Sequence, residues 1–385
     1  MLHSNIYRWG SFLCYAKEAE RALSSDPYER LAETLDKIPN GYPVVESGAH
    51  LRVLEWIFTP EEAELACQMK LMGETVEQLA ERLEIPVEGL KERLDTMAEK
   101  GQIRKGYSRS KSAYLYSLMP FAVGIYEEQL GRMDEEFARR FEDYFQEGGL
   151  ARVSAANPAI FRIIPVDTKI DTELEIFPYQ QAYQMIENAK SWGVRECICK
   201  KQQALLGNPC KYPTTVCLIF DSRHENAFDD DSLTESITKE DQLKLLRDAE
   251  EAGLIHCASN VQEGHNYICN CCTCCCGVLR GVKDLANPGA FVKADFIVHI
   301  DEELCTGCGT CVERCQFEAL SVPEDVSVLN PERCIGCGVC TVTCPEGALS
   351  LVDRPESEKT KPPVNTLDWM TQRAMDRGVD PSDLL

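Results

Sequence analysis

Among 385 residues, the side chains best able to do chemistry are twenty-one cysteines. Two runs between Ile300 and Leu351, CTGCGTCVERCQ from Cys305 and CIGCGVCTVTCP from Cys334, share the spacing C-x2-C-x2-C-x3-C. Thiolates are soft ligands suited to iron–sulfur and zinc chemistry. Three of them this close together can wrap one cube of iron and sulfide. Gly307, Gly309, Gly336 and Gly338 stand between them, where the backbone must turn tightly and aim N–H groups at sulfur. A shift of 29 residues carries Cys305, Cys308, Cys311 and Cys315 onto Cys334, Cys337, Cys340 and Cys344, and Ala319-Leu320-Ser321 onto Ala348-Leu349-Ser350. Eight cysteines in register are an internal repeat, not core filler.

A second concentration lies upstream. Cys197 and Cys199 are followed by Cys210 and Cys217, and the run CNCCTCCCG holds Cys269, Cys271, Cys272, Cys274, Cys275 and Cys276. No helix or strand core needs thiols on both faces. Vicinal cysteines make poor disulfide sets in a reducing compartment. Metal or redox chemistry is the expectation, with the ligand subset open. Cys197, Cys199, Cys210 and Cys217 could form a tetrahedral zinc site; beside the C-terminal repeats, a further iron–sulfur cluster is the favoured reading and zinc the runner-up. His256 and His265 are candidate ligands that read more simply as ordinary polar residues. Cys14 and Cys67 are isolated and read as small core residues.

The C-terminal repeat closely resembles a bacterial two-cluster ferredoxin of the 2×4Fe–4S type, over about 55 residues. The resemblance implies that each fourth cysteine ligates the other cluster. Cluster one would take Cys305, Cys308, Cys311 and Cys344; cluster two would take Cys334, Cys337, Cys340 and Cys315. One departure stands out: Gln316 occupies a position where the family carries proline, while Pro345 is present. A polar side chain there is expected to alter hydrogen bonding beside Cys315.

The elements that must position these cysteines can be read in outline. FLCYAKEAERAL and ERLAETLDKI have helical spacing before a break at Asn40-Gly41. From residue 50 the order resembles a winged helix-turn-helix. Thr59 caps a helix with Pro60 in its first turn, a second helix follows Thr75, and a third runs from Val87 to Lys100. Two strands, IRKG and AYLYSL, then flank a basic turn. Glu88, Glu92, Asp95 and Glu99 on the third helix argue against DNA, because a reading helix offers cations and amides to phosphates and bases. Arg104, Lys105, Arg109 and Lys111 on the turn point the other way. Residues 119–147 should be helical, with Phe137, Phe141 and Phe145 turned inward. EDQLKLLRDAEEAGLI is a helix before His256, residues 354–363 read as a linker, and LDWMTQRAMDRG is a short amphipathic helix.

The net charge of −23 disfavours nucleic acid and anionic membranes and suits partners with a basic docking patch. Residues 291–352 carry ten Asp/Glu against three Lys/Arg, an acidic rim suited to brief electrostatic encounters. No basic-then-apolar leader and no run near the roughly 20 apolar residues of a membrane span is visible, so the expected location is cytoplasmic.

The expected fold class is multidomain α+β: a helical, winged-helix-like front half, a Cys-rich middle domain and a C-terminal two-cluster ferredoxin fold. The boundaries read as 1–49 for a helical segment, 50–149 for the winged-helix-like module, 150–290 for the Cys-rich domain, 291–352 for the ferredoxin domain and 353–385 for linker and helix. The whole arrangement resembles multidomain iron–sulfur proteins of anaerobic metabolism, and Cys275-Cys276-Gly277 is similar to the CCG motif of heterodisulfide-reductase-like subunits. The expected role is an electron-transfer component of an oxidoreductase system, relaying single electrons between two 4Fe–4S clusters, a middle-domain metal site and a partner oxidoreductase. The alternatives are a redox-responsive winged-helix transcription regulator, or an oxidoreductase with a catalytic Cys-ligated metal centre in residues 150–290.

Overall fold

Polar caps decide where the front helices begin. The computed structural model describes residues 26–166, 170, 176–284, 288–382 and 385; the helix expected over FLCYAKEAERAL, with Cys14, lies outside them. Asp26 caps α1 (Pro27–Lys37) through the Tyr28 amide, and α2 spans Ala49–Ile57. Reciprocal capping boxes, Thr59 with Glu62 and Thr75 with Gln78, open α3 (Pro60–Ala66) and α4 (Val76–Leu83). The next helix, α5 (Leu90–Glu99), starts three residues later than its hydrophobic pattern suggests. Gly89 precedes it in a left-handed conformation that a helix interior does not accommodate. An antiparallel hairpin of β1 (Arg104–Ser108) and β2 (Ala113–Ser117) follows, so the expected order of elements is present.

The core of this front half is continuous from Leu31 in α1 to Tyr144 in α6 (Glu135–Gln146). Residues 26–49 are thus not a separate unit. Phe137, Phe141 and Phe145 lie four residues apart on one buried face of α6, and Phe141 stacks on Tyr126 at 4.0 Å. A short helix, α7 (Gly149–Ser154), leads to the middle of the chain.

There a seven-stranded sheet forms from β3 (Phe161–Ile164), β4 (Ser191–Glu196), β5 (Thr215–Asp221), β6 (Glu235–Ile237), β7 (Ile255–Ser259), β8 (Tyr267–Cys271) and β9 (Phe291–Val292). Its order is β6-β4-β5-β8-β7-β3-β9, antiparallel except for the parallel β3–β9 pair. Because β9 completes this sheet, the sheet extends just past the boundary expected at 290. One face packs on α8 (Ala182–Glu187) and α10 (Lys239–Ala252) through Ile186, Leu218, Leu246 and Ile268. Gln242 of α10 donates to the Gly193 and Ile219 carbonyls, both at 2.8 Å. On the opposite face Cys276 and Leu279, at the start of α11 (Gly277–Asp284), pack with Cys257 and Cys271, and Cys199 of α9 (Ile198–Leu205) lies against Cys276.

The C-terminal unit pairs β10 (Phe296–Ile300) with β13 (Leu349–Asp353) and β11 (Leu320–Ser321) with β12 (Val328–Leu329). Each half also carries a one-turn helix that contains its third cysteine, α12 (Thr310–Arg314) and α13 (Val339–Val342). The mixed helix and strand content and the several sheets make this an α+β chain.

The segment expected as a linker after residue 353 is instead fastened down. The Gln262 and Glu263 amides donate to the Pro363 and Val364 carbonyls at 2.9 and 3.0 Å, and the buried Arg162 reaches the Thr360 carbonyl. The last helix, α14 (Thr366–Arg377), then docks back. Arg373, fully buried, donates to the carbonyls of Pro39, Val153, Ala156 and Pro158. Pro and charged residues made the strap read as a spacer, but its carbonyls supply acceptors for buried donors.

Front half and middle sheet are joined at Glu142 of α6, which meets Arg280 of α11 at 2.6 and 3.0 Å and accepts from Gln202 and Gln203 of α9, each at 2.9 Å. Burial would raise the Glu142 carboxyl, but Arg280 outweighs it and holds the group at about 2, against an ordinary 4.5. A depressed native value stabilises the fold above the unfolded pKa, and the gain is lost as pH falls through the folded one. Glu142→Gln should therefore cost roughly 2 kcal/mol at neutral pH. Its deficit relative to wild type should close between pH 4.5 and about 2. Urea midpoints across that range test this; equal midpoints at neutral pH would refute it.

Candidate metal centres

Tight backbone turns bring the C-terminal cysteines into two groups. Gly307 and Gly336 both sit at positive φ, where a Cβ would lie 2.4 Å from the Asp325 carbonyl oxygen and 2.1 Å from that of Phe296. Only glycine permits that approach. Cys305, Cys308, Cys311 and Cys344 line one concavity of about 350 Å³. Cys315, Cys334, Cys337 and Cys340 line a second of about 370 Å³. Each half contributes three cysteines to one group and its fourth to the other. The Ser327 amide donates to the Cys305 sulfur at 3.3 Å and the Ala319 amide to the Cys315 sulfur at 3.2 Å.

The two groups differ in environment. Cys308 is exposed, and Glu346 lines the same cavity; Glu302, Glu303, Glu324 and Asp325 of this unit are also exposed. Cys334 and Cys340 are buried, and burial pushes the Cys337 thiol up to about 12. The second group faces the middle sheet: Ile255 of β7 lines its cavity, and Phe317 packs edge-on against Phe291 of β9. Arg314 donates to the Glu250 and Glu251 carbonyls at the end of α10, where a helix presents partial negative charge.

Gln316 does something the sequence does not suggest. Its Oε1 accepts from the Thr273 amide at 2.8 Å and its Nε2 donates to the Gly253 carbonyl at 2.6 Å. The hydrogen bonds of this side chain go to the middle domain, not to the sulfur of the neighbouring Cys315. A proline here would have neither group to offer. Thr273 lies between Cys272 and Cys274, so one side chain links the C-terminal repeat to the middle cysteine run.

Those middle cysteines converge with Cys210. The sulfurs of Cys210, Cys272, Cys274 and Cys275 all lie within 4.8 Å of one another. Cys210 is 3.6 Å from Cys272 and 3.8 Å from Cys274, and Cys274 is 3.2 Å from Cys272 and 3.7 Å from Cys275. Four thiolates about 2.3 Å from one tetrahedral ion would stand about 3.8 Å apart. The set therefore fits a single ion such as zinc. The C-terminal cysteines instead surround open cavities, which would leave room for iron and sulfide between the thiolates. Thiol hydrogen bonds from Cys272 and Cys275 lower the Cys274 pKa, while contact with Cys272 and Cys274 raises that of Cys275. A cation at the centre would let all four ionise.

The tetrad Cys197, Cys199, Cys210 and Cys217 does not form: Cys210 is drawn to the run after β8, and the other three point elsewhere. Cys197 contacts Cys199, Cys199 contacts Cys276, and Cys217 contacts Cys269. Cys269 and Cys276 each also contact Cys271. Cys257, which lies outside the cysteine runs singled out in the sequence, contacts Cys271; strand pairing brings it there. His256 is buried against Asn270 at 2.6 Å and Glu250 at 3.3 Å, a structural role. His265 is half-buried, its pKa lowered by burial. Cys67 is half-buried against the front core, its thiol on the Glu64 carbonyl at 3.2 Å.

Gln316→Ala removes both bridging hydrogen bonds. The Thr273 amide should then exchange with deuterium about tenfold faster, read by mass spectrometry on the full chain. An unchanged rate would mean the bridge contributes nothing.

Residues 298–321 and 327–350 each match the 4Fe-4S binding domain family. No curated protein and no solved structure matches the chain. The two matched stretches contain all eight cysteines that line the C-terminal cavities, so this part of the chain is similar to 4Fe-4S binding domains.

Proposed function

We propose that the chain is an iron–sulfur electron-transfer protein that passes single electrons between a partner oxidoreductase and its own middle domain. Cys305, Cys308, Cys311 and Cys344 would hold one 4Fe–4S cluster, and Cys334, Cys337, Cys340 and Cys315 the other. Cys210, Cys272, Cys274 and Cys275 would hold a further metal. The observation that carries this reading is the exchange of fourth cysteines between two cavities within the family-matched repeats. Such clusters supply one-electron chemistry at potentials tuned by hydrogen bonds and exposure. The chain contributes an exposed outer end at Cys308, in a unit rich in exposed carboxylates, and an inner end against Ile255 and Phe317. A partner with a basic patch suits the outer end. Among the described residues no helix is long and apolar enough to cross a membrane.

The regulator reading finds less support. Glu92 and Glu99 are exposed on α5, with Glu88 just before it. Lys105 of the hairpin is committed to Asp95 at 2.8 Å. The front half serves better as a structural or protein-docking module with winged-helix order. The full chain should show no sequence-specific DNA binding at physiological salt; a nanomolar footprint in either oxidation state would favour the regulator.

The electron-transfer reading is tested on anaerobically purified chain. Reduction should produce the paramagnetic signals of two interacting 4Fe–4S clusters, and Cys308→Ala should lose or convert one and weaken the other. Electron exchange with a basic carrier protein should slow by about tenfold or more from low to physiological salt. Absence of 4Fe–4S signals would sink the assignment, and salt-independent exchange would sink the docking surface.

A further inference from the structure

The cysteines left outside the Cys210 set are themselves assembled. Cys217 of β5, Cys257 of β7 and Cys269 of β8 are register partners on three adjacent strands. Cys271 lies two residues along β8, on the same face. Cys197 and Cys199 at the start of α9, and Cys276 just before α11, close over that face. Thiol contacts connect Cys197 to Cys199, Cys199 to Cys276, and Cys276 to Cys271. From Cys271 they continue to Cys257 and Cys269, and from Cys269 to Cys217. All seven belong to one connected group, although Cys197 and Cys199 also border the apolar cluster around Cys272 and Cys275.

The walls are closed and mostly apolar. Ile163, Ile255, Leu279 and Phe291 pack with Cys257, Cys271 and Cys276. On the remaining side the front half supplies a lid: Tyr126 contacts Cys199, and the half-buried Glu127 lies near Cys217. Cys269 approaches Cys217 and Cys271, and Cys271 approaches Cys257. None of these thiols is in a disulfide. Their spacing also differs from the Cys210 set, the one group among the described residues that closes to within 4.8 Å. Seven thiols in an open chain do not converge on one ion.

We propose that Cys197, Cys199, Cys217, Cys257, Cys269, Cys271 and Cys276 form a second middle-domain centre, distinct from the Cys210 set, that holds a polynuclear iron–sulfide cluster through thiolates. Several iron ions spread over the sheet face match ligands spread over three strands and two helix starts, and soft thiolates select iron–sulfide. The centre rests on the reading of the chain as an iron–sulfur protein, and it sits where that reading needs an acceptor. Ile255 pairs with Cys271 and also lines the inner C-terminal cavity. Cys337 packs against the same apolar cluster as Cys257 and Cys271.

The test uses the full chain, loaded anaerobically with ferrous iron and sulfide, with iron, acid-labile sulfide and zinc counted per chain. Wild type should exceed the roughly eight irons and eight sulfides of two cubanes. Cys217→Ser with Cys269→Ser and Cys271→Ser should return both counts to about eight, with the reduced-cubane signals intact. Cys210→Ser with Cys274→Ser should remove about one metal and no sulfide. Should the triple variant not fold, the wild-type counts and the Mössbauer spectrum of its iron decide alone. A wild type holding only the iron and sulfide of two cubanes overturns the second centre, as does recovery of these cysteines as disulfides after acid quench, the mark of a dithiol relay. Excess iron and sulfide without cubane signals would instead overturn the C-terminal assignment and leave the second centre standing.

Discussion

A β-strand sends successive side chains to opposite faces, and at Tyr267–Cys271 that alternation divides the chemistry of the whole chain. Cys269 and Cys271 go to one face. Asn270, between them, goes to the other and bonds His256 and the Val216 carbonyl. Once the strand ends, the period is lost and the turn can aim thiols freely. Cys272, Cys274 and Cys275 gather at Cys210, and Cys276 returns to the strand's sulfur-bearing face. Six cysteines in eight positions are thus split between two surroundings by geometry alone.

Around this strand the units are fastened to one another at several points. The C-terminal repeat is held against the middle sheet by Arg314 on the end of α10, Gln316 on Thr273 and Gly253, and Phe317 on Phe291. These residues follow one another around Cys315, so the cysteine shared between the two repeats is also the point of attachment. The front half is tied by Glu142 to Arg280 and by Tyr126 and Glu127 over the thiol-lined face. The C-terminal strap and α14 close the ring through Arg162 and Arg373. Buried arginines are costly unless every donor finds an acceptor; here backbone carbonyls from distant segments provide them.

The placement of charge follows the same division between outside and inside. Exposed carboxylates are frequent in the unit that carries the exposed Cys308, while the inner cavity meets apolar side chains and the middle domain. In the proposed role, charge of one sign would guide a partner without demanding a tight complex. A dry interior keeps the sulfur sites away from solvent and lowers the local dielectric.

The sequence by itself determined the C-terminal repeats, because their ligands lie within a few residues of one another and their glycines satisfy a local demand of the backbone. It also determined the capped front helices at Thr59 and Thr75 and the inward aromatic face of α6, all set by interactions within a turn or two. It told that the middle cysteines were too many for a core. Only the tertiary structure decided how they divide. Cys210 joins residues some sixty positions away, and Cys257 joins Cys271 across strand pairing. Gln316 was visible as a departure from proline, but its partners, Thr273 and Gly253, belong to another unit. The tail read as a spacer because its composition is polar and proline-rich, whereas its order comes from buried arginines that precede it by some two hundred residues or, in α14, follow it. Local pattern specifies what a residue can bond; the partner is specified by which strands and helices meet.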